Sequence, residues 1–394
     1  MRQVVRRGAA AAAAVVLSTF GIAAGAQAAP AEAPVRAVPG AEVVPDSYLV
    51  VLKPGRVSST VAAEHDATVL RSYRKAFNGF ATTVTARKAR QLAADSDVAF
   101  VQPNVIHRIS ATQTNPPSWG LDRIDQRNRP VDAAYTYSTT ASTVHAYVID
   151  TGIRTTHTDF GTRATSGFDA VDGGTADDCH GHGTHVAGTV GGTAYGVAKG
   201  VQLVAVRVLA CDGSGTTAQV AAGIEWVTAN AVKPAVANMS LGGGADTVLD
   251  NAVSASIASG VSYSIAAGNG FLGLFALDAC TQSPARVATA ITVSATTSAD
   301  AKQSWANRGT CVDVFAPGIG ITSAWATNDT STNTISGTSM AAPHVAGAAA
   351  LYLANHPSDT PAQVHAAIVN NATTGVVTSP GTGSPNRLLY TGAF

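Results

Sequence analysis

Charge is scarce in this 394-residue sequence: Asp, Glu, Lys and Arg make up 13% of it, and 25 basic side chains balance 25 acidic ones. Nucleic acids and anionic membranes are gripped through clustered Lys and Arg. No such cluster follows the first few residues, so neither partner is expected. Cysteine is limited to four; in an exported chain that number points to two disulfides, with three connectivities open, and leaves little room for a thiol catalyst. Beyond His180, His182 and His185 no further His or Cys cluster completes a metal site, and Asp150-Thr151-Gly152 has no second copy. An aspartic-protease reading, which needs two carboxylates sharing a proton, therefore fails.

A long apolar run is also missing after the N-terminus. There, Arg2, Arg6 and Arg7 precede an Ala-rich stretch from Gly8 to about Ala24, followed by Ala26-Gln27-Ala28-Ala29, the pattern of a secretory signal peptide over residues 1–28. An extracellular protein, with no membrane association after export, is the expectation. With 46% apolar residues the remainder can bury one large core and a smaller one. Residues 29–45 lack periodicity and read as a linker. Residues 46–110 read as a small α+β unit, with strands at Tyr48–Leu52, Phe80–Val84 and Val98–Val101 and a helix at Arg87–Ala94. The polar stretch Ser110–Ser118 is the candidate boundary to a large domain over 111–394. In that domain, near-continuous apolar runs (144–149, 201–208, 261–266) alternate with helix-like segments (183–191, 218–229, 246–259). Such alternation implies an α/β fold with a mostly parallel sheet covered on both faces, catalytic groups gathering where strands end and helices begin.

Three segments place a reactive side chain beside glycines at such ends: Ile149-Asp150-Thr151-Gly152, Gly181-His182-Gly183-Thr184-His185 and Gly337-Thr338-Ser339-Met340. Acyl transfer by a serine needs a base, a carboxylate to orient that base, and donors for the oxyanion. Singly, each segment has a duller explanation. Asp-Thr-Gly is good turn chemistry, and a serine before Met-Ala-Ala is ordinarily a helix cap.

Together the three resemble the catalytic signatures of the subtilisin superfamily, in the chain order Asp, His, Ser. Across residues 111–390 the sequence is similar to the proteinase K branch and its aqualysin-like secreted bacterial members. Trp119–Gln126, Val236–Gly244 and Ser384–Tyr390 carry that likeness. The resemblance implies Ser339 as nucleophile, His182 as general base, Asp150 as its orienter and Asn269 as an oxyanion donor. It further implies Ser240, Leu241 and Gly242, with Gly213 facing them, as edges that pair with substrate backbone, hence broad specificity on protein and peptide substrates. The unit at 46–110 resembles the family's inhibitory propeptide, a ferredoxin-like domain acting as a transient inhibitor until cleavage near Ser110; the mature enzyme would be a monomer. A catalytically silent peptide-binding relative and a metallohydrolase built on the three histidines are the alternatives from other classes.

The resemblance also implies structural calcium, at Asp313 with the carbonyls of Ala288 and Ala290, and at Asp122, Asp125, Gln126 and Asp132. Disulfides Cys179–Cys211 and Cys280–Cys311 follow from it as well. Three departures stand out: His180 where Asn is usual, Thr217 where an aromatic rims a distal subsite, and an apolar loop at 270–279 expected to extend the substrate cleft.

Overall fold

The computed structural model describes residues 30–38, 43–106, 110–270 and 273–394; the stretch read as a signal peptide lies outside them. The chain divides into two compact units, 1–106 and 107–394.

The first unit is a four-stranded antiparallel sheet in the order Arg71–Tyr73, Gly79–Thr83, Val43–Leu52, Val98–Val105. Helices Ser58–Glu64 and Ala86–Ala93 connect its strands in the split β-α-β pattern of ferredoxin-like folds. Its first strand begins at Val43, inside the stretch read as linker, because Val43 pairs with Val105 across the sheet. The preceding residues are also held: Ala33 donates to Arg90 O, Arg36 donates to Val101 O, and the Arg36 guanidinium stacks on Phe100. Composition hid this, since backbone pairing needs no apolar periodicity.

The second unit carries a nine-stranded sheet. From Ala164–Asp169 it runs through Gln202–Arg207, His145–Asp150, Ala235–Met239, Ser262–Ala266, Ile291–Thr296, Val314–Pro317 and Arg387–Leu388 to Thr373–Thr374. Only the last pairing is antiparallel. Strand side chains alternate between faces, and the alternation sorts the core. Ala146 and Val148 join the cluster beneath helices His182–Gly191 and Thr338–Asn355. Tyr147 and Ile149 join the one beneath Thr217–Asn230 and Thr247–Ala258. Thr216 caps the third of these helices reciprocally with Gln219, and Asp246 caps the fourth through the N–H groups of Val248 and Leu249.

The helix Thr338–Asn355 is nearly all buried and contains Pro343. It also carries His344, packed so tightly against Gly120 that a Cβ there would lie 2.4 Å from Nε2. His344 Nδ1 faces Met340 O at 2.8 Å, and His185 Nε2 faces Ile321 O at 3.0 Å. Burial pushes both imidazoles down from 6.5 to about 4, so both are neutral at ordinary pH. The unfolded chain takes up these protons near pH 6.5 and the folded chain only near 4. The stability they confer is therefore complete above 6.5 and drains as pH falls towards 4. Urea unfolding at stepped pH should show His344→Gln losing less stability over that interval than the parent, by on the order of 3 kcal/mol; parallel curves would refute the assignment.

Candidate active site

Asp150 is the last residue of its strand and is fully buried; His182 is the first residue of its helix and is partly exposed. Their side chains meet with His182 Nδ1 2.7 Å from Asp150 Oδ1, an oxygen that also accepts the Thr151 N–H at 2.8 Å. Strand end and helix start approach so closely that a Cβ on Gly183 would sit 2.1 Å from Gly152 O. Burial works against an imidazolium here. The Asp150 carboxylate, by charge and by hydrogen bond, and Asp178 by charge outweigh it, so the His182 pKa lies above its ordinary value.

Ser339 is the second residue of its helix, behind Thr338 and the N-cap Gly337. It does not cap: its hydroxyl donates to Ser240 O at 3.1 Å. In return Ser240 Oγ donates to Ser339 O at 2.7 Å. Pro343 explains why that carbonyl is free, since the residue four positions on has no N–H to offer it. Asn269, three residues past its strand, has its side-chain oxygen fixed by two donors, the Thr338 N–H at 2.9 Å and hydroxyl at 2.8 Å. With Oδ1 occupied, Nδ2 is the free end of the amide. Thr338 was not singled out in the sequence, although it lies inside the Gly-Thr-Ser segment; its part is visible only across the helix start.

Two hollows meet here. A cleft of about 640 Å³ is lined by Gly213, by Ser240, Leu241 and Gly242, and by His180 and His182. A smaller one of about 280 Å³ is lined by Asn269, Ser339, Ala267 and Gly268, with Ser240–Gly243 and Ser283 shared between the two. Leu241 and Gly242 follow the strand Ala235–Met239 and precede the short Gly243–Gly244 pairing. The Gly213 N–H is folded back onto Ala210 O at 2.9 Å. Thr217 donates to Asp246 at 2.6 Å, both lining the larger cleft. The His180 ring lies 6.3 Å from that of His182. In the 270–279 loop, Leu274 and Phe275 are exposed, while Phe271 and Leu272 fall outside the described residues.

Cys179 is bonded to Cys211 and Cys280 to Cys311, closing separations of 32 and 31 residues. The histidine trio is not gathered for a metal: His182 faces Asp150 and His185 faces Ile321 O. Among the described residues, no three His, Cys, Asp or Glu side chains are assembled as ligands. The two calcium candidates differ in how they suit a hard cation. Gln126 bridges Asp122 and Asp132 through Nε2, at 2.9 and 2.6 Å. Beside them, Asp125 accepts the Thr136 N–H through Oδ2 and has a buried Oδ1 with no partner. Burial, reinforced by the charges of Asp132 and Asp122, pushes the Asp125 carboxyl up to about 7. These carboxylates are tied to Gln126 and to backbone N–H groups and are not converged as ligands; oxygen chemistry with one buried oxygen left over is what a hard cation would need from them. Asp313 suits it less: one oxygen accepts the Thr292 N–H at 2.8 Å and the other faces His365 at 3.3 Å, while Ala288 is exposed and Ala290 buried nearby.

Comparison with known proteins bears on the family and the fold. A family described as "Subtilase family" matches residues 143–388, and one described as "Peptidase inhibitor I9" matches residues 47–110. The chain is 50% identical to an extracellular serine proteinase of Thermus sp. (strain Rt41A), over 91% of this chain and 93% of that one. It is 48% identical to alkaline serine exoprotease A of Vibrio alginolyticus, over 88% and 67%. A crystal structure of a cold adapted subtilisin-like serine proteinase superposes with a TM-score of 0.67 at 54% identity, covering 69% of this chain and 97% of that one. The mostly parallel sheet, the propeptide-type first unit and these matches place the chain in the subtilase family, in its proteinase K branch, as a serine endopeptidase made as a zymogen.

Proposed function

We propose that Ser339 attacks the scissile carbonyl, with His182 taking its proton and Asp150 holding the imidazole in the tautomer that leaves Nε2 free to do so. The observation that carries this reading is the 2.7 Å contact between His182 Nδ1 and the buried Asp150, with His182 lining one hollow and Ser339 and Asn269 lining the adjoining one that shares Ser240–Gly243 with it. Before attack, the Ser339 hydroxyl must turn from Ser240 O towards His182, a rotation about one side-chain bond. The negative oxygen that develops would be met by Asn269 Nδ2 and the Ser339 N–H at a helix N-terminus. As the intermediate collapses and the C–N bond breaks, His182 gives the proton it took from Ser339 to the leaving amine; water deprotonated by the same imidazole then hydrolyses the acyl-enzyme, and the proton returns to Ser339. Substrate backbone would lie between Ser240-Leu241-Gly242 and Gly213. Main-chain pairing recognises all sequences alike, which supports broad specificity, with side-chain preference left to the smaller hollow and to the 270–279 loop at its rim.

The protein acts outside the cell in this reading: the signal-like pattern of residues 1–28 and the printed name of the Thermus relative support secretion. Maturation would remove residues 1–28, and then 29–45 and the propeptide 46–110, leaving 111–394 as a monomeric enzyme. Calcium would be held by Asp122, Asp125 and Asp132 with Gln126, whose amide must turn its oxygen inward. The ion would relieve the repulsion of three crowded carboxylates. Asp313, Ala288 and Ala290 are a weaker second site for the reason given above.

Ser339→Ala should lower kcat by a factor on the order of 10⁶, a magnitude carried over from subtilisin, and Asn269→Ala by about 10²–10³ with KM little changed. A Ser339→Ala protein that still cleaves peptides would overturn the mechanism. Because the base must be neutral to act and its pKa is raised, kcat/KM should rise with pH through a midpoint above 6.5, and Asp150→Asn should move that midpoint down. Chelation should lower Tm. In Asp125→Asn the increment restored by added calcium should shrink, and an undiminished increment would move the ion elsewhere.

A further inference from the structure

We propose that Asp178 is a positioning residue for the reaction: a second buried carboxylate that ties the strand end bearing Asp150 to the helix start bearing His182 and places an added negative charge near the imidazole. The inference rests on the roles proposed above for Ser339, His182 and Asp150.

The contact between Asp150 and His182 joins two elements, and their own backbones do not fix its length. The helix that begins at His182 follows Gly181, at φ +107°, which has no side chain to cap it. Asp178 supplies the cap from upstream: Oδ2 accepts the Thr184 N–H at 2.9 Å and the Thr184 hydroxyl at 2.6 Å. A helix cap needs no more than that. Oδ1 goes further, accepting the N–H groups of His180 and Gly181 at 2.9 and 2.8 Å and the Thr151 hydroxyl at 2.9 Å. Thr151 follows Asp150 in the other element. Its hydroxyl accepts the Gly183 N–H at 2.9 Å, and its own N–H donates to the Asp150 oxygen that faces His182. Thr184 Oγ1 completes the tie by accepting the Arg154 N–H at 2.9 Å. One carboxylate thus spans both catalytic segments.

Among the described residues, no Lys or Arg is paired with this carboxylate. Asp178 is 8% exposed, its five hydrogen-bond donors are neutral, and nearby Arg207 is engaged by Asp169 and Asp172. The charged or titratable groups around His182 are Asp150 in contact, Asp178 behind, His180 across 6.3 Å, and His185 one turn along the helix. The two carboxylates favour the imidazolium that forms when Ser339 is deprotonated.

Asp178→Asn keeps the shape, removes the charge and turns an amide N–H towards either Thr184 or the opposite donors. It should lower kcat about ten- to a hundredfold through misplacement of His182, leave KM nearly unchanged, and move the acid limb of the pH profile downward. Thr184→Val, which weakens the cap and keeps the charge, should leave the acid limb in place. The His182 titration itself is read by NMR of the imidazole protons in the full chain carrying Ser339→Ala. That measurement does not depend on turnover, so it reports on Asp178 even if the nucleophile is misassigned, while residual activity of Ser339→Ala alone reports on the nucleophile. Equal losses of activity in both variants, with His182 titrating at the parental pH, would reduce Asp178 to a helix cap and overturn the proposal. Should Asp178→Asn fail to fold, Thr151→Val reads the positioning role: a lower kcat at constant KM is expected, and an unchanged kcat refutes it.

Discussion

The hydrogen bond between His182 and the buried Asp150 constrains much of what surrounds it. It joins the carboxyl end of a central strand to the first residue of a helix that packs on the same sheet, and the distance tolerates little error. Glycine at 183 is needed because any side chain would strike Gly152 O, and positive φ at Gly181 turns the chain into the helix. One oxygen of the buried Asp150 is met by His182 and by the Thr151 N–H, which offsets part of the cost of burying the carboxylate, while its other oxygen is buried without a partner among the described residues. The raised pKa of His182 is the electrostatic face of the same arrangement.

A second constraint centres on Pro343. Inside a buried helix a proline ordinarily weakens the ladder by one hydrogen bond. Here the orphaned carbonyl belongs to Ser339 and is taken up by Ser240, which locks the helix start against the strand end that borders the cleft. Thr338 does the equivalent service for Asn269. The local cost of proline thus becomes cross-linking between the segments that line the substrate hollows. In the cluster of Asp122, Asp125 and Asp132, burial and the neighbouring carboxylates push the Asp125 carboxyl up, and one of its oxygens is buried without a partner among the described residues.

Much of this was legible from residue order. Apolar runs alternating with helical segments announced a parallel sheet covered on both faces, since only strands buried on two sides lack polar alternation. Glycines beside Asp150, His182 and Ser339 marked the strand and helix ends where side chains converge. The segments at 119–126 and 236–244 carried the likeness to a known branch. Boundaries read less well. The strand from Val43 was hidden in a composition typical of linkers, because its pairing with Val105 is a long-range backbone event without a local signature. Ser339 read alone as a helix cap, yet Gly337 holds that position and frees the hydroxyl for Ser240.

The sequence by itself determined the class of fold and offered the candidate reacting groups, because the capacity to act as nucleophile, base or carboxylate is a property of residue type and because periodicity is set by side-chain order. Only the tertiary structure decided how those groups are held. Asp178 lies four residues before His182 in a short acidic pair; four of its five donors come from the adjoining residues 180–184, and the fifth, the Thr151 hydroxyl, is brought to it from the other catalytic segment by folding alone. Likewise Asp125 is one carboxylate among several in the sequence, and folding alone removes its solvent and sets Asp132 and Asp122 against it. Contact between distant segments and exclusion of water arise from packing, and no local run of residues encodes them.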